Sequence, residues 1–373
     1  MSDLDATSRG HRRLRTFLLK YFDADKWAAD NAEPGSWRLP YALDSLCNEQ
    51  VELRWSDAVR RPPWSGRVVQ RLVRPLERLG APFLDVLVST VNIAKTDIVL
   101  TVFESQANFL ALLRSLRISP YTRPRLAVVS CWLADLAPEF SPARRALYRF
   151  MYRNVNLVIY FSRNQAVVYR DVLGVPNERL AYVPFGVDHR FFSPQDVAEN
   201  RYVLAVGRDR GRDWATLFEA VRGTDLAVKV ASRPGEFETL TVPGNVEVLG
   251  TIDRATYRDL TARASIVVVP THVRAYPTGQ SVVLESMAMG KCCVVTDTPA
   301  MRDYVVDGET AVLVPPHDPA ALQRALERVI ANQALRRRLG ASARERVERD
   351  FNAPAMWQRV ADMLAGISIS PRR

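Results

Sequence analysis

Short apolar runs recur along the chain, separated by stretches whose apolar positions return at helical spacing. In the first half, residues 16–22, 51–55, 97–103, 125–131, 155–161 and 180–183 read as strands, with helix-like stretches between most of them. This alternation predicts a parallel sheet covered by helices, because a parallel crossover needs a helix-length connection and buries both sheet faces. The pattern restarts after Pro194, with residues 201–206, 226–231, 246–249, 265–269, 292–296 and 310–314 as strands. Residues 184–195 carry two prolines and Gly186 with little periodicity, and read as a linker. The expected organisation is therefore an α/β domain over 1–195, a second over 196–352, and a last helical segment and tail over 353–373.

The length of 373 residues, with 47% hydrophobic and 25% charged, suits two globular cores. No stretch reaches the roughly 20 apolar residues of a spanning helix, and the start lacks the pattern of a secretory signal, so a cytoplasmic protein is expected. Four cysteines, with Cys292 and Cys293 adjacent in an apolar run, suggest neither a disulfide framework nor zinc-type spacing. They read as reduced and buried. A formal charge of +10 favours an anionic partner without choosing among phosphorylated small molecules, acidic membrane and nucleic acid.

Two segments carry chemistry. The strand ending at Pro270 leads through a loop to Pro277-Thr278-Gly279-Gln280-Ser281 and then into an apolar helical run from Val282. Gly279 allows close backbone approach, and the N–H groups of Gln280, Ser281 and Val282 at a helix start point toward a negative group. A diphosphate suits that geometry without a metal. Glu285, about a turn further on, can accept paired hydrogen bonds from vicinal hydroxyls such as those of a ribose; the competing reading is a solvated helix glutamate. The second segment follows the strand Tyr202-Val203-Leu204-Ala205-Val206 and reads Gly207-Arg208-Asp209-Arg210-Gly211-Arg212-Asp213. Arginine meets phosphate oxygens in a bidentate way, and the carboxyl edge of an open parallel sheet is where ligands bind. A solvated charged loop is the alternative.

These segments, with Tyr182-Val183-Pro184-Phe185-Gly186-Val187-Asp188 and Phe191-Phe192-Ser193-Pro194 before them, resemble the family 4 retaining glycosyltransferases of the GT-B fold, over about residues 155–365. The resemblance implies two Rossmann-like domains with parallel sheets facing across a cleft, and a nucleotide-diphosphate sugar held on the second. It places Arg208 and Arg212 on the diphosphate, with Arg210 a rival, and Glu285 on the ribose. Gly207, Thr278, Gly279, Gln280, Ser281 and Val282 then surround the donor. Thr296-Asp297-Thr298-Pro299, Asp307-Gly308-Glu309-Thr310-Ala311 and a crossing C-terminal helix over 353–364 extend the likeness. The chain departs from the family where it pairs two glutamates eight positions apart, since Pro277 stands eight before Glu285. Its two arginines also replace the usual arginine and lysine.

The first half resembles the family only in layout. It lacks the glycine-rich loop after the first strand, and Ser130-Cys131-Trp132 stands where many members carry a histidine. Asp23 and Asp25 mimic a metal-holding Asp-x-Asp pair but stand too early for it, and suit acceptor contact or helix capping. Glu104 and Ser105, just past a strand, are acceptor-side candidates, with capping by Ser105 the alternative. Arg67, Arg71, Arg74 and Arg78 fall at helical spacing after Arg60, Arg61 and Trp64. That pattern is a candidate for peripheral contact with an anionic membrane on its inner face, against a plain surface helix interrupted by Pro75.

The resulting expectation is retaining, metal-independent transfer of a sugar from a nucleotide-diphosphate donor to a hydroxyl acceptor, with no cofactor and no nucleic acid. A non-catalytic nucleotide-sugar-binding module is the alternative.

Overall fold

The computed structural model describes residues 13–19, 37, 39–55 and 83–369. Asp23, Asp25 and the basic stretch 67–79 lie outside the described residues. The chain divides into two compact units.

The first unit contains the described residues through Tyr160, Val167–Val183, and the chain from Trp357 onward. Its sheet has six strands: β1 (Leu14–Leu19), β2 (Val51–Trp55), β3 (Ile98–Val102), β4 (Arg125–Val129), β5 (Leu157–Tyr160) and β6 (Leu180–Tyr182), in the order β2-β1-β3-β4-β5-β6. Every pairing is parallel. All five residues of β3 are buried, as strands covered on both faces require. Helix α1 (Glu104–Ser115) follows β3, and α2 (Pro142–Tyr152) precedes β5. Helix α2 starts where the chain specifies a start: Ser141 accepts from Arg144 N–H, and Pro142 occupies a first-turn position needing no donor.

The second unit contains Phe161–Ala166 and Pro184–Met356. Its strands are β7 (Asn200–Val206), β8 (Ala227–Ala231), β9 (Val246–Val248), β10 (Ala264–Val269), β11 (Cys293–Thr296) and β12 (Val312–Val314), ordered β12-β11-β10-β7-β8-β9 and all parallel. Counted from β7, this is the 3-2-1-4-5-6 doubly wound order, whose direction reverses between β7 and β10. The helices that matter are α3 (Trp214–Val221), α4 (Arg254–Arg263), α5 (Gln280–Ala288), α6 (Pro319–Ala331), α7 (Gln333–Asp350) and α8 (Ala353–Ile369). Alternation along the strands separates two layers. Val203, Ala205, Ile266 and Val268 pack with Trp214, Leu217, Phe218, Leu322 and Leu326, while Tyr202, Leu204 and Ala264 pack with Leu260.

Each of the twelve apolar runs overlaps a strand, most with ends trimmed by a residue or two; β7 and β10 start one residue earlier than their runs, and β1 starts two residues earlier and ends at Leu19, with 20–22 outside the described residues. The run at 310–314 begins its strand at Val312 because the Thr310 hydroxyl accepts from Val306 N–H in a turn. The expected linker at 184–195 instead belongs to the second unit. Val187 and Asn352 form a parallel bridge, in which Val187 N–H donates to Phe351 O at 2.8 Å and Ala353 N–H to Val187 O at 2.9 Å. Helix α8 counts with the first unit from Trp357, whose indole N–H donates to Tyr41 O at 2.7 Å. Among the described residues no helix is long and apolar enough to cross a membrane.

Candidate functional site

The topological reversal of the second sheet puts two connections side by side, the turn after β7 and the loop after β10. They are zipped together: Asp213 N–H donates to Pro270 O, His272 N–H to Gly211 O, and Arg212 bridges Thr271 in antiparallel fashion. The two segments singled out in the sequence therefore meet at the carboxyl edge of the sheet, where an open α/β sheet binds ligands.

Arg212 is the centre of this meeting. Its side chain is 2% exposed, and its guanidinium lies between the backbones of Gly207 and Gly279. A Cβ on Gly207 would stand 1.9 Å from Arg212 Nε, and one on Gly279 would stand 2.2 Å from Nη1. Both glycines are needed for the cation to lie flat against main chain. Its nearest countercharge is Asp209, with Nε 4.0 Å from Oδ2, and neither Nε nor Nη1 has a hydrogen-bond partner. Burial lowers its pKa, Asp209 raising it in part. A buried cation with free donors is costly, and an anion is the kind of group that would offset that cost. Arg208 and Arg210 are exposed on the same turn and bring charge without that constraint.

Gly279 is the N-cap of α5 in the left-handed conformation, φ 79°, which glycine adopts without penalty. Of the three N–H groups expected to point outward, that of Gln280 donates to Pro277 O at 3.1 Å, closing the turn. Those of Ser281 and Val282 remain the open donors of the first turn. Thr278 Oγ1 and Gln280 Oε1 are buried beside them without partners. Thr278 packs directly against Gly211, where an added Cβ would meet its Cγ2 at 2.4 Å.

Glu285 faces a second group of charges. Burial pushes its carboxyl up to about 8; Arg254 and the Tyr257 hydroxyl draw it back in part, and Asp188 adds to the rise. Asp188 pairs with Arg254 at 3.0 Å, and the Arg254 guanidinium lies 3.7 Å from the Phe191 ring centroid. Glu285 is thus no solvated helix glutamate. Arg254 and Tyr257 are not legible as site residues in the sequence, because α4 carries no motif; Asp188 and Phe191 stand in the family-like stretches before the second domain, which by themselves assign them no role.

In the first unit, Glu104 is buried and its Oε1 accepts from Ser130 Oγ (2.5 Å), Cys131 N–H (2.6 Å) and Leu133 N–H (2.8 Å). Ser130 also receives the Tyr169 hydroxyl at 2.5 Å. That oxygen anchors the turn after β4 and is not open to an acceptor. Ser105 does not cap α1. The N-cap is Phe103, with φ 74° and its ring stacked 4.7 Å from Trp132. Of the cysteines, Cys47 is exposed rather than buried, while burial raises the Cys292 thiol to about 12.

Residues 235–346 match the family model described as glycosyl transferases group 1. Over 177 residues the chain is 27% identical to the capsular polysaccharide biosynthesis glycosyltransferase CapM of Staphylococcus aureus, covering 43% of this chain and 44% of CapM. The chain spans about half or less of the length of the curated relatives it matches. Among solved structures, sucrose-phosphate synthase from Thermosynechococcus elongatus superposes with a TM-score of 0.70 at 18% identity, covering 95% of this chain and 99% of that one. Anabaena HepE in complex with UDP-glucose superposes with a TM-score of 0.67 at 16% identity, over 95% and 100%. The second unit thus contains a segment similar to the group 1 glycosyltransferases, and the two six-stranded parallel Rossmann-like sheets share the GT-B fold of these solved structures.

Proposed function

We propose that the protein transfers a sugar, with retention, from a nucleotide-diphosphate donor to a hydroxyl acceptor. The observation that carries this reading is Arg212: a buried guanidinium with free donors, pressed between two glycines at the switch point of a doubly wound sheet. A diphosphate supplies the missing countercharge, and the N–H groups of Ser281 and Val282 supply further donors at a helix start. Arg208 and Arg210 add positive charge from solvent. HepE is described in complex with UDP-glucose, which supports a nucleoside diphosphate as the shared ligand.

In the transfer, the bond between the sugar's anomeric carbon and the β-phosphate oxygen breaks and a bond to the acceptor oxygen forms on the same face. The acceptor proton passes to the departing phosphate oxygen. Arg212 stabilises the negative charge that develops on the diphosphate, the largest contribution a protein makes in such a step. Glu285, beside the Arg254–Asp188 pair, accepts from the ribose hydroxyls.

Pro277, in place of an acidic residue, favours a second reading in which the donor is held but not turned over. Incubation with a panel of nucleotide-sugars and assay of released nucleoside diphosphate separates the two. Release supports transfer, binding without release supports the module, and neither binding nor release overturns both.

A further inference from the structure

Three polar side chains meet at the carboxyl edge of the second sheet without any role in the donor site described above. Asp213 stands at the end of the turn after β7, His272 two residues past Pro270 in the loop after β10, and His317 in the connection from β12 to α6. One ligand atom from each lies within 4.8 Å of the other two. We propose that Asp213, His272 and His317 form a binding site for a divalent transition metal of the zinc type.

The donor set is right for such an ion, since imidazole and carboxylate are its common ligands beside thiolate. The spacing is close to right as well. In a tetrahedral site with metal–ligand bonds of about 2.0–2.1 Å, neighbouring ligand atoms stand about 3.3 Å apart. Asp213 Oδ2 lies 2.9 Å from His317 Nδ1 and 3.8 Å from His272 Nδ1, which brackets that value. The two imidazole rings are 5.2 Å apart at 33°, converging on the carboxylate.

Each ligand is held by backbone that is already fixed. Asp213 and His272 are pinned in register by the bonds Asp213 N–H to Pro270 O (3.1 Å) and His272 N–H to Gly211 O (2.9 Å). The Asp213 carboxylate is oriented from behind by Thr216, through its N–H at 3.0 Å and its hydroxyl at 2.7 Å, the kind of outer support that metal ligands require. His317 adopts φ 57°, a conformation non-glycine residues avoid, and the next residue, Asp318, caps α6. Asp213 is 4% exposed in its side chain, whereas the imidazoles are 39% and 58% exposed, so an ion reaches the set from solvent and keeps water on its open side. In the sequence, separations of dozens of residues hide the cluster.

The test uses tag-free, chelator-treated full-length protein titrated with Zn2+ in competition with a chromophoric chelator, and with Co2+ by visible absorption. The expected result is one equivalent of Zn2+ at micromolar or tighter affinity, and Co2+ bands of tetrahedral intensity. His272→Ala and His317→Ala, both partly exposed, should each weaken Zn2+ binding at least about tenfold, while Cys47→Ser, at the exposed thiol, leaves it unchanged. No uptake at micromolar Zn2+, or equal binding by both histidine variants and the parent, overturns the site and leaves only a histidine–aspartate hydrogen bond. Circular dichroism of each variant, unchanged from the parent, ties any loss to the ligand.

Discussion

Arg212 is the residue whose own protein leaves it incomplete, and that gives it opposite effects on stability and on binding. Its nearest countercharge is 4.0 Å away, and two of its nitrogens lack partners. Replacing a buried, poorly paired ion by an apolar side chain of similar length is often neutral or stabilising by about 1–4 kcal/mol. Arg212→Met is therefore expected to unfold no earlier than the parent in a thermal scan, yet to lose at least about 100-fold in nucleoside-diphosphate affinity, the scale of 2.7 kcal/mol for a charge-assisted contact. A variant that loses stability and keeps affinity would show Arg212 to be structural. Glu285 is the converse case, with a signature in pH. Its folded value of about 8 lies above the ordinary 4.5, so its contribution to stability is intact below about pH 4.5 and is lost as pH rises through 8. Glu285→Gln carries no such penalty. Its melting temperature should exceed the parent's by on the order of 2–4 °C at pH 8.5, with the difference shrinking toward pH 5. Parallel melting curves across that range would exclude the raised carboxyl pKa.

The element that makes the site is the pair of tight connections after β7 and β10, and its glycines can be tested as a unit. Gly279→Ala is strained by φ 79° and by a Cβ 2.2 Å from Arg212 Nη1 and 2.6 Å from Val269 Cγ1, whereas Gly207→Ala has a permitted φ and its nearest neighbours all in the Arg212 guanidinium, starting at 1.9 Å. Both should lower nucleotide affinity tenfold or more by displacing Arg212. Gly279→Ala should also cost about 1–3 kcal/mol of stability through its backbone. In an Arg212→Ala background the affinity cost of Gly207→Ala should vanish, because the two residues act through one contact; a double-mutant cycle in which the losses simply add refutes that coupling. Much of this element was legible in the chain. A strand followed by glycines and arginines, and a strand followed by Thr278-Gly279-Gln280, declare a ligand edge by residue type alone. Which arginine goes inside was not legible, since Arg208, Arg210 and Arg212 are chemically alike and only the packing of one loop on the other selects Arg212. Nor was the fate of Glu104, whose three donors come from residues 26 to 29 positions away. Apolar periodicity reports which face is buried, not which distant polar group will share it.

At the scale of the whole chain, the second unit is discontinuous, and one buried hydroxyl holds its outlying piece. Phe161–Ala166 joins Pro184–Met356 across a sequence gap that no periodicity announces. Tyr304, fully buried, donates its hydroxyl to Phe161 O at 2.5 Å and accepts from Phe185 N–H at 3.0 Å, while Asp303 Oδ2 accepts from Ser162 Oγ and Arg163 N–H, both at 2.8 Å. The Asp303 bonds are partly open to water and replaceable, but the Tyr304 pair is not. Removing that hydroxyl leaves one buried carbonyl and one buried amide unsatisfied, each costing about 1–3 kcal/mol. Tyr304→Phe, which keeps the ring packed against Phe351 at 5.3 Å, is therefore expected to lose about 2–4 kcal/mol in urea unfolding, whereas Arg163→Ala, at an exposed ion pair, should lose under about 1 kcal/mol. Because a ligand that binds only the folded form raises stability by RT ln(1 + L/Kd) at free concentration L, nucleoside diphosphate well above the parent's Kd should restore part of the Tyr304→Phe loss while leaving the Arg212→Met variant nearly unmoved. Equal stabilisation of both variants by nucleotide would place the ligand somewhere other than the edge between β7 and β10.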